Sequence, residues 1–173
     1  MNLFGGDKTQ DALNVIREYC LNHSFRISVA ESVTAGLMQL MLSTCENAGM
    51  FFCGGITTYN CIQKRKQLYI HDDNCMALDG VSRQIAENMA RQVSRKFSSE
   101  LSLSITGFAA PIPEKGITEL FAYGSFCLNG EIVLTEKLTT SQSNQLEAQQ
   151  EYASSLVQLC ADSILSKFGV KRL

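Results

Sequence analysis

The chain is poor in the residues that build metal sites, nucleic-acid surfaces and membrane spans. Only His23 and His71 could add imidazole to its seven cysteines, at positions 20, 45, 53, 61, 75, 127 and 160, and no Cys-x-x-Cys pair occurs. These spacings fit neither a zinc site nor a paired disulfide framework, so neither a metal nor a cofactor is expected. An odd number of cysteines fits reduced thiols. The opening Met-Asn-Leu-Phe-Gly-Gly-Asp lacks the charged and apolar regions of a secretion signal, so a cytoplasmic location is expected. No apolar run approaches the ~20 residues of a membrane span, which argues against a membrane partner. Basic runs are also scarce. The only dense one is Lys64-Arg65-Lys66, which reads as a solvated helix face, and the net charge is −2. Nucleic-acid binding normally shows as clustered lysine and arginine, so none is expected. Linkers, repeats and low-complexity stretches are missing as well.

What is present suits one globular domain over residues 1–173. The chain is 45% hydrophobic and 18% charged, ample for a core without staples. Leu13, Ile16, Tyr19 and Cys20 recur at helical spacing and predict a helix over 8–22, with Thr9 as its N-cap. Residues 26–30 read as a short strand, and Leu37, Leu40, Met41 and Cys45 mark a helix to about 46. Gly49 ends that turn, and the apolar segment 50–59 reads as a strand, followed by a short helix over 60–69. Ser82 caps a helix running through Phe97, with Ile85, Met89, Val93 and Phe97 on one face. Leu101, Leu103 and Ile105 alternate as a strand does. Both prolines fall in 108–118, which reads as a loop. Two strands flank Asn129-Gly130, a strong hairpin signal, and a helix over about 143–168 closes the pattern.

Strands alternating with helices, plus a hairpin, predict a mixed sheet covered on both faces. Ligands in such sheets bind outside the carboxyl ends of the strands. Three segments at those ends combine hydroxyls with glycine: Glu31 to Gly36, Gly54 to Tyr59, and Thr106-Gly107. Bare amides and hydroxyls there suit a polar or anionic ligand. On the residues alone, Ser32 reads as the cap of the following helix and Lys64 as a surface charge.

Four segments together carry a resemblance. They are Ala30-Glu31-Ser32-Val33-Thr34-Ala35-Gly36, Thr58-Tyr59-Asn60-Cys61-Ile62-Gln63-Lys64, Asp79-Gly80-Val81-Ser82 and Thr106-Gly107-Phe108-Ala109-Ala110-Pro111. In order and spacing, over about residues 9–168, they resemble the C-terminal domain family of the competence-damage protein CinA. That family's typical motifs are Ala-Glu-Ser-Cys-Thr-Gly-Gly, Thr-Tyr-Ser-Asn-x-x-Lys, Gly-Ala-Val-Ser and Thr-Gly-Ile-Ala-Gly-Pro. The resemblance implies a three-layer αβα sandwich with a mixed sheet. It also implies a small-molecule nucleotide as ligand and hydrolysis of the carboxamide of nicotinamide mononucleotide to the acid nucleotide and ammonia. By the same implication Ser32 is the nucleophile and Lys64 its base, while Glu31, Thr34, Gly36, Tyr59, Thr106 and Gly107 contribute to substrate binding. A serine hydroxyl needs a neighbouring base, and a lysine serves if burial lowers its pKa. Amides of the helix after Ser32 would then face an oxyanion. A homodimer is expected, since symmetric pairs are the commonest soluble oligomer and the resemblance implies a family whose members associate.

The departures concern the ligand. Ala35 replaces a glycine, Cys61 an asparagine and Ala110 another glycine. Ile112-Pro113-Glu114 stands where the family has a glycine-rich stretch. The family's phosphate-suited arginines correspond to a segment that includes Asn144, Ala148 and Gln149, and no lysine or arginine occurs between Lys137 and Lys167. Neutral amides replace only part of an arginine–phosphate contact. Two expectations follow: an amidase of weakened or altered activity, or a non-catalytic paralogue that binds a ligand or partner in the same crevice.

Overall fold

A computed structural model describes residues 6–71, 75–76 and 79–168. The elements in chain order are α1 (Gly6–His23), β1 (Ile27–Glu31), α2 (Leu37–Ser43), α3 (Ala48–Phe51), β2 (Phe52–Thr57), α4 (Cys61–Leu68), α5 (Arg83–Phe97), β3 (Leu101–Gly107), β4 (Phe121–Leu128), β5 (Glu131–Thr139) and α6 (Gln145–Lys167), with a 3-10 turn over Pro113–Lys115. The strands form one sheet in the order β2-β1-β3-β4-β5. β1 pairs parallel with both β2 and β3, while β3, β4 and β5 pair antiparallel. The expected mixed sheet and three layers are therefore present.

The layers follow from strand alternation. Ile27 and Val29 of β1, with Leu101, Leu103 and Ile105 of β3, join the larger core with α1, α2, α3 and α6. The opposite face packs under α4 and α5, where Ile85, Met89 and Val93 form a smaller core with Ala30. That face of β3 is polar yet buried. Ser102 Oγ donates to Ala90 O at 2.7 Å, Ser104 Oγ to Ala86 O at 2.5 Å and Thr106 Oγ1 to Gly80 O at 2.7 Å. Each hydroxyl meets a main-chain carbonyl, so none is buried at a loss.

Local chemistry sets most boundaries. Ser82 Oγ accepts from the Ile85 amide at 3.1 Å and caps α5 as expected. Asn129 and Gly130 both have positive φ, 51° and 84°, the geometry of a two-residue hairpin turn. Three expectations are corrected. Thr9 is not a cap: α1 begins at Gly6, and Thr9 is buried inside it, accepting a bond from Gln158 Nε2. The strand expected over 50–59 begins at Phe52, because Gly49 to Phe51 belong to α3 and Phe51 turns into the core. The closing helix begins at Gln145 behind Asn144, whose side chain accepts from the Leu146 and Glu147 amides. Part of the loop expected over 70–80 lies outside the described residues.

Candidate active site

β2 lies on one side of β1 and β3 on the other, so the loops leaving the carboxyl ends of β1 and β3 run to opposite sides. Such a switch opens a crevice between the loops that leave the two strands. Ser32 leaves β1 there, and its amide donates to Ile105 O of β3 at 3.0 Å. A cavity of about 410 Å³ opens at this point, lined by Ser32, Val33, Tyr59, Asn60, Cys61, Ile62, Met76, Asp79, Gly107, Phe108, Ala109, Ala110, Ile112, Lys115 and Gln145.

Lys64 reaches the crevice from α4. Asn60 Oδ1 accepts from the Gln63 amide at 2.9 Å and starts that helix. Cys61, Lys64 and Leu68, spaced at i, i+3 and i+7, form its buried face. The expectation of a solvated basic run therefore splits: Arg65 and Lys66 are exposed, while Lys64 is only 1% exposed. Its Nζ lies 2.8 Å from Ser32 Oγ and 3.0 Å from Thr58 O. No carboxylate pairs with this amine among the described residues. Burial pushes Lys64 down from 10.5 to about 8, against the smaller raising influence of Cys61 and Cys75. Close to one amine in ten is then neutral at pH 7, by the tenfold-per-unit rule.

Gly80 makes room for this lysine. A side-chain carbon at Gly80 would stand 3.2 Å from both Lys64 Cδ and Lys64 Nζ, and from Cys61 Sγ. Thr106 holds Gly80 in place through its hydroxyl. Cys61 Sγ donates to Cys75 O at 2.8 Å, tying the following loop to α4.

The turn that follows Ser32 is held by Glu31. The Glu31 carboxylate is fully buried. It accepts from Thr34 Oγ1 at 2.6 Å, from the Gly36 and Met38 amides at 2.9 and 3.2 Å, and from the Gln39 amide at 2.8 Å. The carboxylate thus sits on the N-terminus of α2, where the helix dipole and open amides favour negative charge. Ser32 is not the cap of that helix; Gly36 is. The turn between them holds Ala35 at φ 52°, a left-handed conformation that glycine adopts without strain. Because the early α2 amides serve Glu31, they do not face the crevice as an oxyanion hole. The Val33 amide, beside Ser32 on the cavity wall, donates to no acceptor among the described residues.

The sequence-selected residues therefore divide. Ser32, Tyr59 and Gly107 line the cavity, and Lys64 lies directly beneath it on Ser32. Glu31, Thr34 and Thr106 are fully buried: Glu31 and Thr106 bond to the main chain around the site, Thr34 bonds to the Glu31 carboxylate, and none lines its open space. Gly36 belongs to the same supporting turn. A side chain at Gly107 would collide with the Phe121 and Ala122 backbone, so glycine there keeps β3 and β4 closed. Sequence reasoning passed over Phe108, Ile62, Met76, Asp79 and Gln145, which build the walls. All seven cysteines are free thiols, and no cluster of three or more metal-ligating side chains occurs among the described residues. No described helix is long and apolar enough to cross a membrane.

The fold and this geometry define an α/β domain with a buried serine–lysine pair at the switch point of a mixed sheet. The model of the CinA C-terminal domain matches residues 9–161, and the chain belongs to that family. A CinA-like protein of Nostoc sp. is 33% identical over 108 residues, 62% of this chain and 26% of the relative. The chain thus spans about a quarter of the length of such relatives. A shorter relative, the Protein MG115 homolog of Mycoplasma pneumoniae, is 29% identical over 137 residues, 76% of this chain and 85% of that one. Among solved structures, the competence damage-inducible protein A of Klebsiella pneumoniae superposes with a TM-score of 0.85 at 15% identity, covering 92% of this chain and 99% of that one. The competence/damage inducible protein CihA of Agrobacterium tumefaciens gives 0.80 at 22% identity, covering 94% and 99%. At such identities the likeness is one of fold.

Proposed function

We propose that this crevice hydrolyses a carboxamide of the nicotinamide-nucleotide type, with Ser32 as nucleophile and Lys64 as its base. The observation that carries the reading is the 2.8 Å contact between a buried hydroxyl and a buried amine whose pKa has fallen to about 8. A base poised near the working pH takes a proton readily and returns it as readily. In the neutral-amine state, Lys64 removes the Ser32 proton as Oγ attacks the carboxamide carbon. The tetrahedral oxyanion is met by the Val33 amide. Lys64 then gives its proton to the departing nitrogen, ammonia leaves, and an acyl-serine remains. Water, deprotonated by the same amine, attacks the acyl carbon, and the proton returns to Ser32 Oγ as the acid is released. Nicotinamide mononucleotide is the substrate the family resemblance implies, and the departures at Ala35, Cys61, Ala110 and Asn144 favour weak turnover.

The alternative is a non-catalytic paralogue that holds a ligand in the same crevice. One observation favours it: the described rim offers no arginine, and its single lysine is already ion-paired. Ammonia release from nicotinamide mononucleotide separates the two. Turnover abolished by both Ser32→Ala and Lys64→Met supports the amidase, whereas binding without turnover supports the paralogue.

A further inference from the structure

We propose that the crevice selects aromatic carboxamides that carry no phosphate, and that the Asp79–Lys115 pair at its rim enforces this choice. The proposal rests on the amidase reading for the reacting group alone; it concerns the charge on the rest of the substrate. Asp79 and Lys115 are the only charged side chains among the described residues lining the cavity. Lys115 Nζ lies 2.7 Å from Asp79 Oδ1, so the one wall cation is already matched by an anion. A phosphate monoester entering here must share Lys115 with that carboxylate, and a dianion beside a carboxylate is repelled.

A second, independent feature points the same way. Gln145, the first residue of α6, lines the cavity, and a long helix N-terminus is ordinarily a ready anion site. Here Asn144 Oδ1 takes the Leu146 and Glu147 amides at 2.9 and 3.2 Å, and Glu147 adds a carboxylate to the first turn. The helix end is thus both capped and negatively charged. The remaining walls, including Tyr59, Phe108, Ile62 and Met76, suit a flat ring.

The test compares nicotinamide riboside with nicotinamide mononucleotide, which differ only by the phosphate. Ammonia release gives kcat/KM for both on the wild type, Asp79→Asn and Lys115→Gln. Calorimetric titration of both ligands on the same three proteins carrying Ser32→Ala gives binding without turnover. The riboside is expected to be preferred by about tenfold or more, because a phosphate dianion loses water here without gaining a free cation. Asp79→Asn frees Lys115 and should move the ratio about tenfold toward the mononucleotide, while Lys115→Gln moves it further away. Asparagine tolerates the φ of 49° at this position, so the first variant keeps its backbone. A wild type that prefers the mononucleotide, or a ratio unmoved by both substitutions, overturns the proposal. Silence in the ammonia assay with riboside-selective binding intact overturns the amidase reading while leaving the charge selection standing. Measurable binding of neither ligand overturns both.

Discussion

The floor and the rim of the crevice are built in opposite ways. The floor consists of Glu31, Ser32 and Lys64, none more than 5% exposed, each tied to its neighbours by short hydrogen bonds. The rim carries Tyr59, Ile62 and Met76 at 63%, 65% and 69% exposure, with one ion pair across it. A floor locked by the protein's own groups is set before any ligand arrives and tolerates little change. An exposed rim contributes little to stability, so its residues can vary and redirect what enters. The departures from the family pattern follow that division only in part: Ser32 and Lys64 persist and the exposed Asn144 differs, but Cys61 is buried on α4 and Ala35 lies in the turn that supports the floor.

The severest way to break the contrast is to strike the floor. Ser32→Ala and Lys64→Met should each lower kcat by about 1,000-fold or more, and the double variant should be no worse than either single, because a nucleophile and its base act as a unit. Steady-state ammonia release on the three proteins checks this, and additive losses would separate the two roles. Glu31→Gln comes next. It removes the charge from four accepted bonds and turns an NH₂ group toward amide donors. A loss of about 2–4 kcal/mol in denaturant stability is expected, with kcat reduced as Ser32 loosens. A variant as stable as the wild type would place the carboxylate outside the scaffold of the floor.

Titration sharpens the comparison further. The folded pKa of Lys64, about 8, lies below its ordinary 10.5. Below pH 8 the amine is charged in both states and its burial costs most. Between pH 8 and 10.5 the unfolded chain holds more protons than the folded one, so stability rises with pH. Relative to Lys64→Met, the wild type should gain roughly 3 kcal/mol at most across that window, read from paired urea curves. On the proposed mechanism, in which the neutral amine of Lys64 is the base, activity should also rise through pH 8. A rim substitution should shift neither midpoint.

The smallest effects belong to the rim. Gln149 Nε2 donates to Val33 O at 2.8 Å, so Gln149→Arg can keep a donor there while adding charge beside the crevice. Mononucleotide affinity should rise by about tenfold or less with no change in kcat, as calorimetry and kinetics would show. Asn144→Arg should instead cost about 1 kcal/mol of stability by removing the α6 cap, which offsets any gain in binding.

Much of this division was legible in the sequence, and the limits are physical. Ser32 and Tyr59 were visible because strand ends in mixed sheets point at ligands. Lys64 was half visible. Its neighbours Arg65 and Lys66 made a basic run, while its spacing from Cys61 and Leu68 placed it on the buried stripe; a stripe outweighs a run when the helix packs against a sheet. Glu31 gave no local sign of its role, because its partners at Gly36, Met38 and Gln39 meet it only after the chain turns back. Asn144 read as a missing arginine and is a helix cap, two demands that the same position cannot announce separately. The start of β2 was lost because Met50 and Phe51 suit a strand and a helical turn equally well, and only burial of Phe51 decides.

The hydroxyls of β3 have a mechanical consequence. Two residues along a strand advance about 6.6 Å, and four along a helix advance about 6 Å, so Ser102 and Ser104 meet Ala90 O and Ala86 O like teeth on a rack. Thr106 is the next tooth, and it engages Gly80, the roof over Lys64. Sliding α5 by one residue would disengage the two serines together, so the helix holds one indexed position. The depth of the crevice is thereby geared to the pitch of a helix against the pitch of a strand, and no change of side chain at the rim alters either length.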